Sequence, residues 1–299
     1  MNEQSKEKLL RLTKLLISVA YFCGSGLKNL FASLVGITPR GTCTAIHYHA
    51  VAPQERKRFA RQMDILKLHA KPLAADNDQP LQAGQHYAVV TFDDGFMSAV
   101  ENAVPELVER NIPMTFFIPA GLLGTIPQWT EFGLDEVREE IIATARCLRE
   151  LPSDLITIGS HTMTHAWLPS LSDNEAKFEV SNSRTELEKL LNRKIKLFSF
   201  PYGASNGRLL ELCREAGYER VFTILPTPAF NDPKEFVTGR IAVNSTDWEL
   251  EFRLKILGAY KWLPGVIAMK RKLLGKHLDE QPKVSPVGKG TRSAQYGLN

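Results

Sequence analysis

Cysteine is scarce in this 299-residue sequence: Cys23, Cys43, Cys147 and Cys213 lie far apart, with no Cys-x-x-Cys pair. That spacing argues against a disulfide framework and against a cysteine zinc site, and fits four unpaired thiols in a reducing compartment. A long apolar run is also missing. A membrane span needs about 20 consecutive apolar residues, whereas the stretch between Lys14 and Lys28 is broken by Gly24 and Gly26. There is no internal repeat, no low-complexity tract and almost no net charge, only +4. That small total hides a division. Residues 1–40 carry six basic and two acidic residues, residues 41–252 carry 21 basic and 29 acidic, and residues 253–299 carry ten basic and two acidic. An acidic middle repels phosphate, so nucleic acid is not an expected partner.

Both basic ends are patterned. Arg11, Lys14, Ser18, Tyr21 and Ser25 fall at spacings of three and four, opposite Leu9, Leu12, Leu16, Val19, Ala20 and Phe22. The spacing predicts an amphipathic helix. Such a helix either lies in a membrane interface with its basic stripe at the headgroups or packs on the protein's own core; a cleaved signal or signal anchor is a third possibility. From Phe252 onward Leu, Ile and Trp262 interleave with Lys255, Lys261, Lys270, Arg271, Lys272 and Lys276. Here too the alternatives are a membrane-surface helix and a helix packed on the domain, followed after Asp279 by a disordered tail. The sequence thus divides into 1–40, 41–252 and 253–299.

The middle alternates short β-rich runs with helical patterns. The runs are 43–48, 87–92, 114–118, 155–159, 195–200, 220–224 and 236–243; helical patterns include 99–110, 134–151, 174–191 and 207–216. Alternation of this kind predicts parallel βαβ units in an α/β barrel or doubly wound sheet, with the chemistry at the carboxyl ends of the strands.

Polar residues cluster at those ends. Asp93 and Asp94 close the run Val-Val-Thr-Phe-Asp-Asp-Gly. Adjacent carboxylates point to different sides of an extended backbone, so one can bind a cation while the other acts as a base; a plain Asp-Gly turn is the alternative. His161 and His165 close the next such run, four residues apart, which lets two imidazoles share a metal with an aspartate and leaves a position open for water. Phe198 to Gly203, Phe-Ser-Phe-Pro-Tyr-Gly, is a rigid turn able to expose the backbone N–H of Tyr202.

Taken together, Thr91–Gly95, Ser160–His165 and Pro201–Gly203 resemble, in order and spacing, the polysaccharide deacetylase family, the NodB-homology carbohydrate esterases, over roughly residues 41–250. The resemblance implies a distorted (β/α) barrel, to which the two patterned ends add helical extensions, and metal-dependent removal of an N- or O-acyl group from a sugar. It implies Asp94, His161 and His165 as metal ligands, zinc as the expected divalent metal, Asp93 as general base and the Tyr202 N–H as an oxyanion donor. Two features depart from the family pattern. Ser199 and Phe200 stand where many members carry an arginine that steadies the base. No histidine lies between His165 and His277 to supply the late Leu-x-His acid.

The segment Ala45-Ile46-His47-Tyr48-His49-Ala50-Val51 resembles the opening of a circularly permuted subgroup associated with exopolysaccharide and surface-glycan synthesis, in which an early histidine replaces the late one. Strand alternation puts His47 and His49 on one face, and the motif position favours His49 as the acid. Arg240 is a candidate to steady Asp93, against an ordinary strand-end arginine, and Asp247-Trp248 a candidate sugar wall. The expected substrate is an N-acetylated glycan or glycolipid precursor, and the expected location is cytoplasmic, with peripheral contact at the inner membrane face. The rival readings are a non-catalytic glycan-binding barrel and a membrane-docked scaffold.

Overall fold

The computed structural model describes residues 3–36, 38–127 and 140–274. In chain order these form α1 (Glu3–Leu34), β1 (Thr42–Tyr48), α2 (Arg56–His69), β2 (Lys71–Pro72), β3 (His86–Phe92), α3 (Val104–Glu109), β4 (Met114–Ile118), α4 (Ala145–Glu150), β5 (Ile156–Ser160), α5 (Asp173–Lys177), α6 (Ser183–Leu191), β6 (Leu197–Ser199), α7 (Gly207–Glu215), β7 (Arg220–Thr223), β8 (Val237–Ala242), α8 (Glu249–Ile256) and α9 (Leu263–Leu274). Seven strands close a parallel barrel: β1 pairs with β3 on one side and β8 on the other, and β3 to β8 pair in sequence order. The two-residue β2 adds to the start of β3. This is the expected (β/α) barrel.

Strand alternation divides the apolar residues into two layers. One phase, including Ile46, Val90, Phe92, Phe116, Ile158 and Phe198, packs under the surrounding helices. The other phase, Ala45, Val89, Phe117, Leu197 and Phe222, fills the barrel, with Ala75, Ala229 and Phe230 packed beside it. Gly159 makes room for that filling, since a Cβ there would collide with the Phe117 ring. Further along the same interior phase the residues turn polar: His47, Thr91, Asp93, His161, Ser199 and Arg240, all buried. The fold thereby gathers one polar layer at the carboxyl ends of the strands.

Caps fix the helix starts. Thr144 accepts from the Cys147 N–H and begins α4, so the helical pattern expected over 134–151 starts only at Ala145, the preceding residues being extended at the Phe96–Ile142 bridge. Its portion 134–139 lies outside the described residues, as do His277 and the tail after Asp279. Ser172 and Glu175 form a capping box at α5.

Helix α1 turns its polar stripe inward. Arg11 lies over the Trp248 ring at 4.3 Å and its Nε donates to Glu251 at 2.7 Å, while Ser18 is fully buried and its Oγ accepts from Trp262 Nε1 at 3.0 Å. Leu15, Val19 and Phe22 pack beside that stripe. Leu9, Leu12, Leu16, Leu27 and Phe31 are exposed, Leu16 by 69%. The 20-residue stretch Lys8–Leu27 is, by length and composition alone, long and apolar enough to cross a membrane.

Candidate active site

The centre of the polar layer is a buried ion pair. Arg240, 0% exposed, donates Nη1 to Asp93 Oδ1 at 2.8 Å and Nη2 to Oδ2 at 2.7 Å. The same guanidinium donates to Thr91 Oγ1 at 2.9 Å, Ser199 Oγ at 2.7 Å and the Thr223 carbonyl at 3.3 Å. All five donors' worth of fork geometry is thus directed at interior oxygens, which is what allows a guanidinium to be buried at all. Burial alone would raise the Asp93 carboxyl, but Arg240 and His161 hold it well below the usual carboxylate range. Arg240 is therefore no ordinary strand-end arginine. It reaches Asp93 from β8, and the Ser199 hydroxyl accepts from it.

The turn after β3 separates the two aspartates. Asp94 and Gly95 both have positive φ, 67° and 74°, so the Asp94 side chain leaves the Arg240 pair and meets two imidazoles. His161 Nε2 lies 3.4 Å and His165 Nε2 3.2 Å from Asp94 Oδ1. One ligand atom from each of the three falls within 4.8 Å of the others. His161 Nδ1 donates to the Ser199 carbonyl at 2.7 Å, which fixes the tautomer with Nε2 free to ligate. Both Asp94 carboxylate oxygens are buried without a hydrogen bond of ordinary geometry. A buried carboxylate so placed needs a positive charge, and two imidazoles with one carboxylate are a donor set suited to a divalent transition cation. The residues fit a metal.

Electrostatics point the same way. Burial would raise the Asp94 carboxyl, but the two histidines keep it well below its ordinary value. His165 is lowered by burial. For His161 the burial effect is outweighed by Asp93 and Asp94, and it is raised.

The loop carrying the histidines is held by backbone strain and one helical side chain. Among the described residues seven non-glycine residues have positive φ, and Asp94, Thr162, His165 and Tyr202 are four of them, the concentration expected where a site over-determines its backbone. Glu179 accepts from the Met163 and Thr164 N–H groups at 2.9 Å each and from Thr164 Oγ1 at 2.7 Å.

His47 and His49 do share a face, with ring centroids 5.5 Å apart. His47 is buried, and its imidazole is pushed well down by burial and by Arg240. His49 is half-buried just past the end of β1 and acts electrostatically on Asp94. Tyr202 sits in a Pro201–Gly203 turn with φ 59°, its ring 4.8 Å from His165 and 5.6 Å from Trp167. Trp167 is the aromatic residue the sequence reading missed. Its only signal was proximity to His165. Trp248 carries the Arg11 guanidinium over its ring and is otherwise 44% exposed.

A family profile for polysaccharide deacetylases matches residues 81–221. The chain is 23% identical over 166 residues to YxkH of Bacillus subtilis, covering 56% of this chain and 54% of that protein. It is 28% identical over 166 residues to the poly-beta-1,6-N-acetyl-D-glucosamine N-deacetylase of Escherichia coli, covering 46% of this chain and 25% of that one. The chain thus spans about half the length of the first relative and a quarter of the second. In fold it is similar to IcaB from Ammonifex degensii, with a TM-score of 0.61 at 24% identity over 75% of this chain and 99% of that one. Profile and motif order agree, and residues 81–221 of the barrel match the polysaccharide deacetylase family.

Proposed function

We propose that this chain is a cation-dependent deacetylase that removes an N-linked acetyl group from a sugar in a glycan or glycan precursor. The observation that carries the reading is the buried Asp94–His161–His165 set, its carboxylate lacking hydrogen bonds, beside an Asp93 aligned by Arg240. Asp94, His161 and His165 would hold a divalent cation, which would supply a Lewis acid for the acyl carbonyl and a more acidic water. Zinc suits two imidazoles and one carboxylate. Asp93 is ionised at neutral pH and fixed in direction, so it takes the proton of the attacking water. His49, at the rim, returns a proton to the amine that leaves. The Tyr202 N–H, presented by its positive-φ turn, faces the charge that develops on the acyl oxygen. Trp167 and Tyr202 form an aromatic wall for a sugar ring. A barrel that only bound glycan would have no use for a base held by a buried arginine. The name of the Escherichia coli relative favours an N-acetylglucosamine polymer or its precursor as the substrate class.

The test is acetate release from N-acetylglucosamine oligomers by the zinc-loaded protein. His49→Gln should lower kcat about 10²-fold while zinc stoichiometry stays at one. Unchanged kcat would remove His49 from the acid role, and no acetate release by the wild type would overturn the reading.

The outward Leu9, Leu12 and Leu16 face of α1, with Lys6 and Lys8 exposed beside it, supports peripheral attachment to an anionic membrane; four unpaired thiols favour its cytoplasmic side. The double variant Leu12→Glu/Leu16→Glu should shift the protein from the pellet to the supernatant in sedimentation with phosphatidylglycerol vesicles, by tenfold or more in partition coefficient. Equal partitioning would exclude α1 as the anchor.

A further inference from the structure

A cavity of about 360 Å³ lies between α1, α9 and the rim of the barrel at β7 and β8, within the usual range of small-molecule sites, about 300–1,000 Å³. Its position matters more than its size. Ile224, which directly follows β7, stands against the Tyr202–Gly203 turn, where a Cβ on Gly203 would collide with it. Ala242, exposed at the end of β8, pairs with His47 across the β1–β8 ladder and shares the strand phase of Arg240. Both line the cavity. It therefore starts at the catalytic mouth and runs outward beneath α1 and α9, where Leu10, Leu263 and Ile267 wall it.

The charges along it do not cancel. Arg11 and Lys255 both pair with Glu251, at 2.5 Å and 3.4 Å, and Lys255 also pairs with Asp247 at 2.6 Å. Two cations and two carboxylates balance. Lys14 is also in the wall, and among the described residues no carboxylate stands within ion-pair distance of it. An apolar channel with one surplus ammonium is complementary to a single anionic group carrying a hydrocarbon chain. The outer end of the channel lies beside the helix whose Leu9, Leu12 and Leu16 face outward.

We infer that this cavity seats the hydrocarbon chain and phosphate of a lipid-linked glycan, with Lys14 at the phosphate and the chain along Leu10, Leu263 and Ile267, so that the sugar reaches the Asp93 site from the membrane side. The inference rests on the deacetylase reading above and narrows its substrate class to a phospholipid-linked sugar in place of a free polymer.

The test uses the full zinc-loaded chain and decyl phosphate below its micellar concentration, followed by calorimetry. Decyl phosphate should bind with one site, and hexyl phosphate about 250-fold more weakly, at roughly fourfold per buried methylene over four methylenes. Inorganic phosphate at millimolar concentration should not displace it. Ile267→Trp should abolish binding, and Lys14→Glu, which leaves the cavity shape intact should the tryptophan variant fail to fold, should weaken it at least tenfold. N-acetylglucosamine carried on decyl phosphate should be deacetylated with kcat/KM at least tenfold above that of the free oligomer, an advantage lost in both variants while oligomer turnover stays unchanged. Displacement by inorganic phosphate, equal binding of the two chain lengths, or no preference for the lipid-linked sugar overturns the inference and leaves the deacetylase reading standing. Binding of decyl phosphate without acetate release from either sugar overturns the deacetylase reading and keeps only the lipid seat.

Discussion

Replacing Arg240 with methionine should cost about 3–5 kcal/mol, the range for breaking a buried pair from one side. For a chain of this size that lowers Tm by roughly 6–20 °C, at 2–4 °C per kcal/mol. The reason is what remains behind. Asp93 is 3% exposed and loses both of its fork bonds, and Thr91 Oγ1, Ser199 Oγ and the Thr223 carbonyl lose a donor at the same time. An unpaired carboxylate in this layer escapes its cost by taking up a proton, so the deficit depends on pH. In the wild type the folded Asp93 is held below its unfolded value; its stabilising contribution is present above the unfolded pKa of about 3.9 and lost as pH falls through the lower folded value. In the variant the folded value lies above the unfolded one, so its stability is fullest at low pH and declines as pH rises through the folded value. The Tm gap between the two proteins should therefore be wide at pH 8 and narrow toward pH 5. The double variant Asp93→Asn/Arg240→Met separates charge from packing, since removing both partners should cost less than removing the arginine alone. If single and double variants melt together across that pH range, the unpaired charge is not the cause. Acetate release should fall in both, because neither retains an aligned base.

Much of this architecture was legible in the chain. Met114–Ile118 was delimited without error and the ends of the other long strands to within two residues, because a parallel barrel buries both strand faces and leaves unbroken β-branched and aromatic runs. The short β2, two residues long with a proline, has no such run. The Asp94–His161–His165 cluster was visible because Asp94 and His161 close strand runs and His165 lies four residues further on. Arg240 was harder. Which arginine meets Asp93 depends on barrel closure, which brings β8 beside β1 and sets the phase in which residue 240 points inward. Helix α1 shows the general limit. Periodicity identifies two faces and does not say which one is buried. Ser18 and Arg11 turn inward because Trp262, Trp248 and Glu251, more than 230 residues away in sequence, offer them partners. Trp167 belonged to no periodic pattern, and only the fold of the Thr162–His165 loop places it against Tyr202.

Asp94→Ala should remove the bound cation and with it at least 10³-fold of acetate release, and its most telling readout is stability. In the metal-free wild type the Asp94 oxygens are buried without hydrogen bonds, a cost that a cation at the three ligands relieves. Zinc should accordingly raise the wild-type Tm, with a stabilisation that grows as RT ln(1 + [Zn]/Kd), about 2.7 kcal/mol at a hundredfold excess over Kd. The same zinc should leave Asp94→Ala unmoved, because two imidazoles alone hold it weakly. The metal-free variant should melt no lower than the metal-free wild type by more than about 1–2 kcal/mol, since the substitution deletes an unsatisfied polar group together with its side-chain packing. The pH dependence follows from the ligands. Zinc needs His161 and His165 unprotonated, and His161 is raised above its ordinary 6.5 by Asp93 and Asp94 in spite of burial. Proton competition at His161 therefore sets in at a higher pH than for an ordinary imidazole, and apparent affinity should fall about tenfold per pH unit once it titrates, more steeply when His165, lowered by burial, follows. A zinc-induced Tm shift of equal size in wild type and Asp94→Ala would show that the cation binds elsewhere. A flat affinity from pH 8 to pH 5.5 would show that these imidazoles do not hold it.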